Sequence, residues 1–190
     1  MIRRALLALL IFIVAAVAFL VLDFRAAKST TNAESVFTSA KNGTAPGAAV
    51  PVYLWIEEKD SLSTGLRDEL LSALRATGRF DVQILPTAKP ASGDAPLLRV
   101  WVERPGLSWT PFYAQADMLV RYGFSTYTTE IDFEEDAPVQ LPAGEYAFYG
   151  EGRLTLKDRS FGLISLRGYW QYLAAQAAEK ITADLQREMP

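Results

Sequence analysis

The chain opens on an unbroken apolar run from Ala5 to Leu22 and then changes character. The run holds no Gly and no Pro, so nothing in it opposes a helix. At about 1.5 Å per residue it reaches roughly 27 Å, close to a hydrocarbon core of about 30 Å. The pattern predicts a transmembrane anchor over 1–25. Arg3 and Arg4 ahead of it predict a single-pass inner-membrane protein with a cytoplasmic N-terminus and a periplasmic or extracellular main domain. A cleaved signal is the alternative, but Phe19 to Leu22 continue the apolar run past the small-x-small triplet Ala16-Val17-Ala18. Residues 26–49 are rich in Ala, Ser, Thr, Asn and Gly without apolar periodicity. They predict a flexible linker, with a short helix over 33–41 as its one ordered alternative.

From residue 50 the pattern is that of one folded domain, 50–190. Val50 to Ile56 is β-branched and aromatic and reads as a strand. Leu62, Leu66, Leu70 and Leu74 then repeat at i+4, one apolar stripe of a helix that Gly78 ends. Phe80 to Ile84 alternates as a second strand, so strand, helix and strand fit a parallel crossover. Leu98, Val100 and Val102 alternate with polar partners until Pro105 and Gly106, which predict the strand's end. Ala116 to Phe124 and Tyr146 to Leu156 give two more alternating strands, each with one wet face. Gly150 and Gly152 in the last of these mark a bulge or a close contact. Leu166, Trp170, Leu173, Ala177, Ile181 and Leu185 form the stripe of a closing helix, with Glu179, Lys180, Asp184 and Glu188 assigned to its wet side. The expected fold is an α/β (α+β) two-layer sandwich. A mixed sheet of four or five strands carries two helices on one face, in the order β-α-β-β-β-β-α, preceded by one transmembrane helix.

Composition removes much chemistry. The chain has no cysteine and no histidine. Disulfides, thiol nucleophiles, Ser-His-Asp triads and His-bearing metal motifs are therefore excluded. Phosphate-binding glycine loops and the Ser-centred hydrolase motifs are absent from the sequence. No enzyme and no cofactor is predicted. Net charge is −3, and Arg3, Arg4, Arg25 and Lys28 outnumber Asp23 at the N-terminus, so the remainder is more acidic still. An acidic domain without a basic stripe argues against nucleic acid as a partner.

The run LRDELLSALRATGRFDV, with a strand before it, antiparallel strands after it and the closing AAQAAEKITADL helix, is similar to small bacterial envelope α/β domains. These are the LPS-assembly lipoprotein family, the TolB amino-terminal domain and the curli-secretion lipoprotein family. The likeness spans 50–190 as an order of elements, and the chain departs from it by lacking a lipid-modified cysteine. It implies a lipoprotein-like, non-catalytic accessory or assembly subunit whose partners are proteins of an envelope complex. The membrane would be met through Ala5 to Leu22. A lipid- or glycan-binding module is the first alternative, and a carboxylate-based hydrolase the second.

Two clusters are candidate sites. Trp109, Phe112 and Tyr113 flank Pro111 in what reads as an aromatic loop. They are candidates for a partner contact or a lipid headgroup contact, against a reading in which they fold back as a satellite core. Asp132, Glu134 and Asp136, with Glu130 and Glu135 beside them, are candidate ligands for a hard cation such as Ca²⁺. A solvated inter-strand loop accounts for the same acidic run.

Overall fold

The computed structural model describes residues 2–21, 24–25, 29–43, 47–57, 60–85, 93, 95–131, 140–143 and 146–189. It is a mixed α/β fold of three helices and a seven-stranded mixed sheet. The elements run α1 (Ile2–Val21), β1 (Phe24–Arg25), β2 (Thr30–Asn42), β3 (Val50–Ile56), α2 (Ser61–Ala76), β4 (Phe80–Ile84), β5 (Leu97–Thr110), β6 (Tyr113–Ser125), β7 (Ala147–Leu163) and α3 (Leu166–Glu188). The arrangement differs from the expected one ahead of Val50, where β1 and β2 bring the sheet to seven strands instead of four or five and the helix, among the described residues, is not a membrane span.

The sheet order is β1-β7-β6-β5-β3-β4, with β2 also on β7. β3 is parallel to β4 and to β5, while β5, β6 and β7 form an antiparallel meander. β1 and β2 share one edge of β7. β2 pairs antiparallel along Ala147 to Arg159, and β1 takes Gly162 and Leu163. The stretch read as tether or short helix is thus a strand. Its alternation is muted because its sheet-facing side carries only small residues and one aromatic, Ala33, Ser35 and Phe37.

No helix among the described residues is long and apolar enough to cross a membrane. This overturns the transmembrane anchor, the signal-anchor and the single-pass inner-membrane localisation. The side chains described along α1 are those of residues 4–17, which cover roughly 21 Å at about 1.5 Å per residue against a hydrocarbon core of about 30 Å.

α2 forms where the leucine stripe predicts it. Asp60 caps it by accepting from the Ser63 N–H at 2.8 Å, and the Ser63 side chain accepts from the Asp60 N–H at 3.1 Å, a reciprocal capping box. Gly78 follows at φ 68°, a left-handed conformation that other residues adopt at a cost. Leu62, Leu66, Leu70 and Leu74 are all fully buried on β3 and β4.

β5 departs from its expected end. It runs through Pro105 and Gly106, with a register shift between Val102 and Arg104. The residue left out of the register is Glu103, and Pro105 pairs with Met118. β3 pairs with β5 only as far as Val100, so at Pro105 β5 is an edge strand among the described residues, where proline is tolerated. Past the shift, Leu107 and Trp109 pack against the helix-side core. Gly150 and Gly152 lie beneath aromatic rings. A Cβ on the first would collide with Phe37 and one on the second with Tyr122, and those two rings stack at 5.7 Å. The face away from the helices is not uniformly wet. Trp55, Leu97 and Ile131 form a second small core there. Arg99 lies over the rings of Trp55 and Trp101, at 5.1 and 5.4 Å, and donates to the Ile131 carbonyl at 2.6 Å.

Candidate interaction site at the hairpin tip

β5 and β6 join through a tight turn at Pro111 and Phe112, with Thr110 opposite Tyr113. Thr110 fits that corner because its hydroxyl works in both directions. Oγ1 accepts from the Tyr113 N–H at 3.0 Å and donates to the Tyr113 carbonyl at 3.0 Å. The end of β7 holds the turn from the side. The Gly162 N–H donates to the Phe112 carbonyl at 3.2 Å, and the Ile164 N–H to the Pro111 carbonyl at 2.9 Å. The aromatic segment expected as a loop is therefore a pinned hairpin end.

The three aromatic candidates come together there but face different surroundings. Trp109 is half-buried on the main core, and its Nε1 donates to the Ile164 carbonyl at 3.1 Å. Tyr113 is half-buried with its ring 5.1 Å from Phe161, and its hydroxyl donates to Gln115 at 2.7 Å. Phe112 projects outward, 70% exposed. Phe161, partly exposed, extends the apolar tip beside Tyr113 and was not singled out from the sequence, and Leu166, expected on the buried stripe of the closing helix, is 39% exposed. The signal for Phe161 is its place on the outward phase of β7, directly after Arg153, Thr155, Lys157 and Arg159.

Asp132, Glu134 and Asp136 lie outside the described residues. Glu130, the described member of the acidic run, is exposed. Among the described residues no group of three or more acidic side chains is placed to hold a metal ion.

Two other carboxylates are fully enclosed, and both bond tyrosines between the sheet and α3. Asp158 accepts from Tyr169 at 2.7 Å, Ser160 at 2.8 Å and Thr31 at 2.6 Å, and Thr31 in turn meets the Tyr172 hydroxyl. Asp184, assigned from the sequence to the wet side of its helix, is buried. Its Oδ2 accepts from the Tyr122 hydroxyl at 2.6 Å, and its Oδ1 lies 3.4 Å from Arg187 and 3.8 Å from Lys180. Burial, then the bond to Asp184 and its negative charge, push the Tyr122 pKa far above its ordinary value. Each carboxylate accepts one tyrosine hydroxyl across the gap between α3 and the sheet, Asp158 from Tyr169 and Asp184 from Tyr122, an arrangement suited to alignment of a helix, while Asp184 Oδ1 takes no hydrogen bond among the described residues.

A groove of about 600 Å³ runs between α2 and α3. It is lined by helix residues such as Ala73, Ala76, Ala178 and Thr182 together with the helix-capping Thr77, with Glu69 and Glu179 on its walls. The sheet contributes nothing to that lining.

No family model and no curated relative matches the chain. Two crystal forms of the PelC dodecamer from Paraburkholderia phytofirmans, the first a point variant, are similar to it in structure. Their sequence identities are 18% and 17%, with a TM-score of 0.35 for each, over 77% of this chain and 98% of the PelC chain.

Proposed function

We propose that the protein is a non-catalytic accessory or assembly subunit of a bacterial envelope complex and that it meets a protein partner through the tip of the β5–β6 hairpin. The observation that carries this reading is Phe112: a large aromatic side chain, 70% exposed, on a turn whose carbonyls and flanking residues are all held in place. A rigid aromatic in water contributes nothing to folding, and it loses little conformational freedom when a partner covers it. Tyr113 and Phe161 supply the apolar surroundings that an anchor residue needs. The order-of-elements likeness to envelope lipoproteins and the empty catalytic repertoire of the sequence agree with such a role.

The alternatives have less support. A lipid or glycan module calls for an apolar cavity lined from both sheet and helices, and the α2–α3 groove is lined from the helix side alone. A carboxylate hydrolase calls for a pair of acids in a cleft, whereas Asp158 and Asp184 are buried among hydroxyl donors.

Affinity purification of the tagged full chain tests the proposal. Wild type should retain a stoichiometric protein partner. Phe112→Ala should lose about 2 kcal/mol or more of that binding, while its stability stays within about 0.5 kcal/mol of wild type. Equal partner recovery by both proteins refutes the hairpin tip as the contact.

A further inference from the structure

We propose that the outer edge of β2 is a self-pairing site, where a second copy of this chain adds its own β2 antiparallel and joins two sheets into one. The site is separate from the hairpin tip and does not depend on it. At 13 residues β2 is longer than most strands in globular proteins, and among the described residues it pairs with β7 alone. One whole row of its backbone donors and acceptors therefore faces outward.

The opposite edge of the sheet shows what a guarded edge looks like here. β4 has five residues, and Arg75 of α2 donates to its Val82 carbonyl at 2.9 Å. Short length and a covering charge are two ordinary ways of blocking edge-to-edge pairing. β2 has neither. It contains no Pro and no Gly, its sole lysine is the penultimate residue Lys41, and Thr30, Thr31, Val36 and Thr38 give it strong strand preference.

The sequence of β2 also complements itself. Antiparallel pairing about its midpoint, Val36, is the register that matches the strand over its full length, Thr30 opposite Asn42. In that register Val36 meets Val36, Glu34 meets Thr38, Asn32 meets Ala40 and Thr31 meets Lys41, so no like charges are opposed. Val36 is the large apolar side chain that β2 leaves in water, 73% exposed and on the face away from the helices. Self-pairing covers it with its own copy. A two-fold axis perpendicular to the sheet keeps the same face outward in both copies, which is the closed, isologous arrangement. Tyr172 and Glu188 hold α3 over the helix side of β2 through Thr31 and Ser39, so the added strand meets β2 at its rim.

The chain has no cysteine, so one introduced thiol reads one position. Opposed residues in an antiparallel pair lie about 4.5 or 5.5 Å apart between Cα atoms, and both spacings fall inside the disulfide range of roughly 4.4–6.8 Å. Full-length Val36→Cys should be oxidised mildly, in buffer with enough mild detergent to cover the exposed side chains of α1. Gln83→Cys, exposed on the guarded β4 edge, is the control. Val36→Cys should form a linked dimer at least about ten-fold faster, the mark of a raised local thiol concentration. Mixed Glu34→Cys and Thr38→Cys proteins should link to each other in preference to themselves, which reads the register. Matching thermal unfolding of all four variants and wild type shows that the thiols report on the folded chain. Equal rates for Val36→Cys and Gln83→Cys, the result expected from association through α1 or from random collision, overturn the proposal. So does a Glu34→Cys protein that links to itself as readily as to Thr38→Cys.

Discussion

α2 and α3 lie side by side on one face of the sheet, yet different chemistry holds them. α2 is seated by four fully buried leucines at i+4 spacing over β3 and β4. α3 buries Tyr169, Leu173, Ile181 and Leu185 with Ala174, Ala177 and Ala178 between them, and its depth and rotation are further set by hydroxyl–carboxylate bonds at Asp158 and Asp184. The leucine seam is non-directional, and its stability scales with area removed from water. The polar seam adds less net free energy but tolerates one rotation of the helix, because any other leaves a carboxylate or a tyrosine hydroxyl buried without its partner. One helix is held by apolar surface, the other by apolar surface and by matching.

The largest expected effect breaks the first half of that comparison. Leu70 is fully enclosed between α2 and the sheet, so Leu70→Ala should destabilise the domain by about 2–5 kcal/mol through lost transfer energy and the cavity left behind. Chemical denaturation followed by far-UV circular dichroism measures it. An unchanged midpoint would mean that the leucine seam is not what seats α2.

These two seams were unequally legible in the sequence. The leucines announce themselves by spacing, and the α2 boundaries follow from Asp60 and Gly78. Asp184 carries a charge that ordinarily marks a solvent face, yet it lies seven residues after Ala177 and three after Ile181, on the buried stripe. Asp158 likewise occupies the inward phase of β7 after Leu154 and Leu156. In both cases the period was readable and the partner was not, since Tyr122 and Tyr169 arrive through tertiary structure. Trp170 was read as a stripe residue, yet it is half-buried while its neighbour Tyr169 is fully enclosed, a shift set by the bond to Asp158. β2 was missed for a related reason: a strand of Thr, Ser, Ala and Asn lacks apolar contrast and owes its order to β7. At the hairpin tip the aromatic residues were visible from the sequence. That Trp109 turns inward and Phe112 outward depended on a bulge that no local pattern marks.

A smaller effect sharpens the second half. Tyr122→Phe keeps the ring that stacks on Phe37 and lies over Gly152, and removes only the hydroxyl. Asp184 Oδ2 then loses a 2.6 Å donor inside the fold. The expected loss is about 1–3 kcal/mol, the range for a buried hydrogen bond to a charged group. It should fall short of the Leu70→Ala loss. A larger value would reverse the ranking of the two seams.

The smallest effect concerns pH, and it isolates the same bond without perturbing the packing. Tyr122 has its pKa raised in the folded protein, by burial first and by Asp184 second. In the unfolded chain it titrates near its ordinary value of about 10. A raised folded pKa means that the stabilisation is fully present below that unfolded value and is lost as pH climbs above it, because the unfolded state then releases a proton that the folded state retains. The loss for one such group approaches about 1.4 kcal/mol per pH unit. Tyr127 and Tyr146 shift in the same direction by burial. The wild-type slope is therefore a sum, and the Tyr122→Phe variant separates it. Stability measured by denaturation between about pH 9 and 11 should fall more steeply for wild type than for Tyr122→Phe, the difference approaching one proton's worth. Tyrosinate absorbance should agree: one tyrosine fewer titrates in the variant, and that tyrosine appears in wild type only as the protein unfolds. Parallel slopes for the two proteins would show that the Tyr122 hydroxyl exchanges its proton with solvent in the folded state, and the polar seam of α3 would then be looser than its geometry indicates.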